Sequence, residues 1–148
     1  MTTYLDSRSG IAFDYPTGWT MAEPPADDAA IYTYSIATYD LNDPSAKNEG
    51  SLQHGQTEID VTFFAKDDTL DSARATLQSD VDSGFAIIVK QETRTTPDGS
   101  PAYYYAIQGR LGGAAQALFF SVNGHPVSVV AHGDAAHFDD MVKSFRTA

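Results

Sequence analysis

Cysteine is absent from the sequence, and basic residues are scarce: nine Lys and Arg stand against twenty Asp and Glu, so the formal net charge is −11. Without cysteine the chain has no disulfide bonds, thiolate metal ligands or cysteine nucleophiles. Binding to a phosphate backbone depends on clustered Lys and Arg, and no such cluster occurs in the sequence. We therefore do not expect nucleic acid as a partner, and an anionic membrane surface would repel the chain for the same reason.

Long apolar runs are missing as well. No segment approaches the ~18 consecutive apolar residues that a membrane-spanning helix needs, so we expect no membrane insertion by this chain. The start, Met1–Tyr4, has neither the basic nor the apolar region of a signal peptide. Two localisations follow: the protein is cytoplasmic, or it is an extracytoplasmic lipoprotein whose leader is missing from this chain.

Hydrophobic residues nevertheless make up 42% of the 148 residues, which is enough for a packed core. The length fits one domain, and no internal repeat is present. We predict a single domain over residues 1–148, with a polar loop insertion at 40–56 that divides two strand-like segments.

The dipeptide Asn123-Gly124 is a strong signal for a two-residue β-hairpin loop. Such a loop places Val122 opposite His125 and Leu118 opposite Val129. Because neighbouring residues on a strand face opposite sides, the resulting ribbon is apolar on both faces. An antiparallel sheet with one solvated face alternates apolar and polar residues instead. Other elements must therefore cover both faces of this ribbon.

Two segments have the helical spacing of apolar residues that would provide this cover. The first is Asp68–Val81, with an N-cap at its first or second residue and Gly84 as its stop. The second is Asp134–Phe145, with Asp134 as its N-cap. Together these patterns predict an α+β fold, an α/β/α sandwich whose central antiparallel sheet of about six or seven strands has helices on both faces.

Further segments have the composition of strands. In chain order they are 3–5 and 11–15, which form a short hairpin, then 31–39, 57–64, 85–96 and 101–110. The segment at 85–96 begins apolar and ends polar. We therefore expect it to run from a covered region of the sheet out to an edge.

Two stretches resemble the PsbP-like family, which has the Mog1/PsbP fold. Ile11–Trp19 (IAFDYPTGW) is similar to the strand and Tyr-Pro-x-x-Trp opening of the family, and Phe138–Arg146 is similar to its closing helix with Ser-Phe. The resemblance implies an antiparallel sheet between helices, usually in non-enzymatic accessory or binding proteins. Plant and cyanobacterial members of the family support photosystem II, and many bacterial members are lipoproteins or accessory proteins.

The common signatures of catalytic and cofactor sites are missing from the sequence. It has no glycine-rich phosphate loop with the dinucleotide spacing, no Gly-x-Ser-x-Gly elbow, no His-Glu-x-x-His motif and no EF-hand loop. Three aspartates at 67, 68 and 71 gather where the first helix is predicted to begin, and the helix dipole explains them without a metal. We therefore expect no catalytic residue and no cofactor.

One constellation, His132-Gly133-Asp134-Ala135-Ala136-His137, leaves two interpretations open. In the first, the imidazoles of His132 and His137 and the carboxylate of Asp134 bind Zn²⁺ or a similar ion, which takes nitrogen and oxygen ligands. In the second, His132 ends a strand, Asp134 caps the helix and His137 lies on its solvated face. We expect the second and assign no metal site.

Two functional hypotheses follow from these patterns. The first is a non-enzymatic accessory module that docks a protein partner through one sheet face or the loops at its rim. The run Tyr103–Tyr105 would form part of such a surface if one face of its strand were bare. The alternative is a small metal-dependent hydrolase, which requires His132, Asp134 and His137 to converge in a cleft. The oligomeric state is left open by the sequence.

Overall fold

The computed structural model describes residues 1–41, 56–109, 113–133 and 136–148 of the chain. Most of the polar loop predicted at 40–56 lies outside the described residues, so the interpretation of 1–148 as one domain with an inserted loop stays a prediction. The elements in chain order are β1 (Thr2–Asp6), β2 (Ile11–Tyr15), β3 (Thr20–Ala22), β4 (Tyr32–Ala37), β5 (Thr57–Phe63), α1 (Leu70–Asp82), β6 (Ala86–Thr95), β7 (Pro101–Gly109), β8 (Ala114–Val122), β9 (His125–Gly133), α2 (Phe138–Lys143) and β10 (Arg146–Thr147).

Seven strands form one antiparallel sheet in the order β3-β4-β5-β9-β8-β7-β6. This confirms the predicted sheet of about six or seven antiparallel strands. Three of the neighbouring pairs, β6–β7, β7–β8 and β8–β9, are joined by short connections, whereas β5 pairs with β9 across a long stretch of sequence. That non-local pairing joins the N-terminal and C-terminal halves of the sheet.

The hairpin between β8 and β9 has the predicted register, with Val122 opposite His125. Asn123 has a φ of 49° and Gly124 a φ of 82°. A two-residue turn of this kind requires positive φ at both central positions, which Asn and Gly tolerate best. The local signal in the sequence therefore predicted the register of this ribbon correctly.

Buried apolar residues form two clusters on the large sheet, and adjacent residues of β8 belong to different clusters. The cluster that includes α1 contains Phe64, Ala73, Leu77, Tyr105, Ala117 and Phe119. The cluster that includes α2 contains, among others, Phe13, Tyr104, Leu118, Phe120, Phe138 and Met141. The ribbon of β8 and β9 is therefore covered on both faces, as its apolar composition predicts.

Three short strands form a second sheet in the order β1-β2-β10, and the predicted hairpin of its first two strands is confirmed. Phe13 of β2 is fully buried and stacks on Phe145 with a centroid separation of 5.2 Å. The small sheet thus packs into the same apolar cluster as α2.

A buried carboxylate joins the small sheet to the large one. Asp6 has no exposed surface. Its Oδ2 accepts hydrogen bonds from the hydroxyl groups of Tyr32 (2.5 Å) and Ser9 (2.6 Å) and from the amide of Ser9 (3.2 Å), and its Oδ1 accepts one from the Tyr34 hydroxyl (2.7 Å). Burial acts to raise the pKa of Asp6, but these hydrogen bonds outweigh it and lower the pKa below its ordinary value. The ionised carboxylate therefore connects β1 and its turn to β4.

Helix α1 begins and ends where its sequence predicts. The Thr69 hydroxyl accepts a hydrogen bond from the Ser72 amide at 3.0 Å, and Gly84 follows the helix with a φ of 79°. Of the helices in the described ranges, neither has the length and hydropathy to cross a bilayer.

Helix α2 is shorter than the predicted Asp134–Phe145. It covers Phe138–Lys143, and its N-cap is His137, which makes no side-chain capping hydrogen bond. Its end has a clear cause: the Ser144 hydroxyl donates to the Met141 carbonyl (2.6 Å) and accepts from the amide of Asp14 (2.8 Å). These bonds direct the chain into β10. The predicted cap, Asp134, lies outside the described residues.

Strand β6 corrects the prediction for residues 85–96. Within the described ranges it is the terminal strand of the large sheet, and β7 is its one partner there. At its apolar end the described residues leave Phe85, Ile87 and Val89 63%, 63% and 67% exposed. Ile88 packs against the apolar cluster of α1. Its neighbours Ile87 and Val89, together with Phe85, remain exposed at the end of the sheet.

Candidate functional site

Three potential metal ligands converge on β5 and β9. Glu58 and Asp60 are two residues apart on β5, so they project from one face of the strand. His132 of β9 lies directly opposite Glu58 in the strand register. One ligand atom from each side chain lies within 4.8 Å of the other two, and His132 Nε2 is 3.5 Å from Asp60 Oδ2. We refer to Glu58, Asp60 and His132 as the β5–β9 cluster.

The rigid strands hold these side chains in a partly buried setting. Burial acts to raise the pKa of Asp60, but its contacts with His132 and Ser35 outweigh that effect and lower it below the ordinary value. Oδ1 of Asp60 is buried and has no hydrogen-bond partner among the described residues. The hydroxyl of Tyr39 donates to Glu58 Oε1 at 2.6 Å, which orients that carboxylate.

The structure separates the residues of the predicted histidine constellation. His132 ends β9 beside Asp60, whereas His137 precedes α2, where its ring meets the edge of Trp19 at a centroid distance of 5.4 Å. Asp134 lies outside the described residues. The hydrolase hypothesis that used these three side chains stays a prediction, and His132 has two carboxylates of β5 as its described neighbours.

A second candidate site is the apolar edge formed by Phe85, Ile87 and Val89. The register of β6 shifts between Ile88 and Lys90, so Val89 occupies a bulge. In the polar half of β6, Glu92 forms ion pairs with Arg94 (2.7 Å) and Lys90 (3.6 Å). We refer to Phe85, Ile87 and Val89 as the β6 apolar edge.

In contrast to this edge, the tyrosine run Tyr103–Tyr105 is largely buried. Tyr104 and Tyr105 are buried, and Tyr103 is half-buried. The guanidinium of Arg74 lies 3.6 Å from the ring centroid of Tyr103, and that of Arg94 lies 3.8 Å from the centroid of Tyr104. Strand β7 therefore does not present the bare aromatic face considered above.

Sequence reasoning missed the β5–β9 cluster because its members meet through a non-local strand pairing. The alternation in Thr57–Phe63 (TEIDVTF) already places Glu58 and Asp60 on one face, opposite the buried Ile59 and Val61. That alternation was the available signal. Nothing local in the sequence indicates that His132 lies across from Glu58.

The seven-stranded antiparallel sheet, the small second sheet and the two helices define the PsbP-like class of fold. Among solved structures, the chain is similar to the solution structure of cyanobacterial PsbP (CyanoP) from Synechocystis sp. PCC 6803. The TM-score is 0.61 at 16% sequence identity, over 99% of this chain and 92% of that one.

This likeness confirms the PsbP-like fold predicted from the opening and closing motifs, and at 16% identity it concerns the fold alone. No protein-family model matches the chain, and no curated protein matches its sequence.

Proposed function

We propose that this protein is a non-enzymatic accessory module that binds an extended segment of a partner protein along β6. The observation that carries the proposal is the exposure of the β6 apolar edge. A terminal strand presents unpaired backbone donors and acceptors, and soluble proteins usually protect such an edge with charge or cover. Here the polar half of β6 is protected by Lys90, Glu92 and Arg94, whereas the apolar half is open.

The chemistry of the edge favours an apolar partner strand with flanking Lys or Arg. A partner strand that pairs with β6 would satisfy its backbone groups and cover Phe85, Ile87 and Val89. Asp80 and Asp82, at the end of α1, are exposed close to Phe85 in the chain. With a net charge of −11, a second copy of the chain is repelled and a basic partner is attracted.

Site-specific photo-crosslinking tests this proposal. A photoreactive residue at Ile87 in the full chain, used in lysate of the source organism, is expected to capture a protein that the same residue at Leu5 does not. Leu5 is a matched control because it is 52% exposed and lies on the small sheet. The captured protein, once purified, is expected to bind the wild-type chain and to lose binding to Val89→Lys.

Two results would contradict the proposal. Equal capture at Ile87 and Leu5 would mark the contacts as non-specific. A crosslink between two copies of the chain would assign the edge to self-association instead.

The finer architecture belongs to the same proposal: an α/β/α sandwich with a helix on each face of the large sheet. It is supported by the division of β8, where Phe119 belongs to the cluster of α1 and Phe120 to the cluster of α2. The small sheet shares the face of α2. In this arrangement both faces of β8 are occupied, which leaves the terminal strand for partner binding.

A further inference from the structure

We propose that the β5–β9 cluster, Glu58, Asp60 and His132, is a binding site for a divalent transition-metal ion, with Zn²⁺ as its best match. Imidazole nitrogen and carboxylate oxygen are both zinc ligands, and three protein ligands leave a fourth position for water. The site is independent of the β6 apolar edge, so its test does not depend on the proposed partner.

The spacing of the ligand atoms fits a tetrahedral ion. With metal–ligand bonds of ~2.0–2.1 Å, two ligands of a tetrahedral zinc lie about 3.4 Å apart. His132 Nε2 and Asp60 Oδ2 are separated by 3.5 Å. Glu58 lies opposite His132, and its atom in the cluster is within 4.8 Å of the other two.

The charges of the cluster also fit a divalent cation. Glu58 and Asp60 place two carboxylates on one face of β5, and their combined charge equals that of a divalent ion. In addition, the buried Oδ1 of Asp60 has no hydrogen-bond partner among the described residues. A buried acceptor without a partner is costly, and a cation bound by both Asp60 oxygens, Oδ1 as well as Oδ2, would provide the missing interaction.

The surroundings of the cluster restrict the orientation of its ligands. β5 is an interior strand between β4 and β9, so the backbone positions of Glu58 and Asp60 are fixed on both sides. The Tyr39 hydroxyl donates to Glu58 Oε1. Hydrogen bonds of this kind hold a ligating carboxylate in place and contribute to metal affinity.

Isothermal titration of the metal-free full chain with ZnCl₂ tests the proposal. We expect one ion per chain, with affinity reduced more than ~100-fold in His132→Gln and Glu58→Gln, and ~10-fold in Tyr39→Phe, which removes only the orienting hydrogen bond. His137→Gln is the matched control: it removes the other histidine of the predicted constellation, which lies against Trp19, and is expected to bind like the wild type.

Two further measurements separate ligand loss from misfolding. Thermal melting without metal identifies any variant that fails to fold. Asp60→Asn then takes the place of that variant, because Asn preserves the shape of the Asp side chain. X-ray absorption at the zinc edge is expected to show one imidazole within a nitrogen and oxygen shell. The proposal is overturned by a wild-type chain that does not bind zinc, by unchanged affinity in a folded His132→Gln, or by loss of binding in His137→Gln.

Discussion

Replacement of Asp6 by Asn tests whether a buried charge joins the two sheets. The Asn side chain keeps the shape of Asp but has no charge. Its NH₂ group takes the place of one carboxylate oxygen, so a donor then faces the groups that donated hydrogen bonds to that oxygen. Four hydrogen bonds end on Asp6, from Tyr32, Tyr34 and twice from Ser9. A hydrogen bond to a charged group contributes ~1.5–3 kcal/mol and a neutral one ~0.5–1.5 kcal/mol.

The loss of charge therefore costs about 1 kcal/mol for each bond, offset in part because a neutral side chain is easier to bury. We expect Asp6→Asn to lower the free energy of unfolding by about 3 kcal/mol at neutral pH. For a chain of this length, that corresponds to a fall in Tm of about 6–12 °C. Urea titration followed by Trp19 fluorescence and by circular dichroism measures the change.

The two tyrosines provide an internal comparison. Tyr34 is the one partner of Asp6 Oδ1 in the described structure, whereas Oδ2 keeps two bonds from Ser9 after Tyr32 is lost. Tyr34→Phe is therefore expected to cost more than Tyr32→Phe. If Asp6→Asn changes the free energy of unfolding by less than about 1 kcal/mol, the hydrogen bonds to the ionised carboxylate do not hold the sheets together.

The pH dependence of the same variant checks the sign of the effect. The pKa of Asp6 is lowered in the folded state from an ordinary value of 3.8. Stability from the ionised group is therefore fully present above the unfolded-state pKa and is lost as the pH falls through the folded-state pKa. The difference in stability between the wild type and Asp6→Asn is expected to be constant near neutral pH and to shrink below pH 3.8.

Two further predictions concern the tyrosines and the β8–β9 turn. Burial and hydrogen bonds to carboxylates raise the pKa of Tyr32, Tyr34 and Tyr39 well above 10. An absorbance titration is therefore expected to show at least three of the eight tyrosines still protonated at about pH 11 in the folded chain. Titration of all eight near pH 10 without unfolding would contradict this. Gly124→Ala forces a side chain into a backbone with a φ of 82° and is expected to destabilise the chain by ~1–2 kcal/mol. Gly109→Ala, at the end of β7 and without a positive φ, serves as the composition control. Equal melting temperatures for the two variants would show that the turn is not strained.

Local signals in the sequence predicted the elements they control. Asn123-Gly124 specifies its own turn, and Thr69 and Gly84 mark the limits of α1, because each acts on backbone within a few residues. Strand order has a different origin. The position of β9 beside β5 depends on the packing of the whole sheet, and no local pattern places His132 opposite Glu58.

The limits of burial were also set by tertiary packing. Apolar composition at residues 85–89 predicts cover, yet the end of the sheet lies there and Phe85, Ile87 and Val89 remain exposed. Asp6 departs from expectation in the opposite direction. An acidic residue in a hairpin is expected at the surface, but hydrogen bonds from Tyr32 and Tyr34 of β4 stabilise Asp6 in a buried position. Both departures depend on the tertiary arrangement: the position of β6 at the end of the sheet, and the tyrosine hydroxyl groups that β4 directs at Asp6.

The placement of the β5–β9 cluster follows from the size of the helix above the sheet. Seven strands that are ~4.8 Å apart form a sheet about 29 Å wide, whereas one helix is about 10 Å across. α1 packs on β6, β8 and β9, where the sheet residues beneath it are apolar.

Strands β4 and β5 lie at the other end of the same face, and their outward residues are polar. Thr33 and Thr62 share a hydrogen bond there at 2.9 Å, next to Asp60 and Glu58. Helix α1 therefore divides the described face into an apolar half that it buries and a polar half that carries the β5–β9 cluster. The composition of each strand reflects that division: β8 is apolar on both sides, whereas β5 alternates, so its outward positions carry the polar side chains of the proposed β5–β9 site.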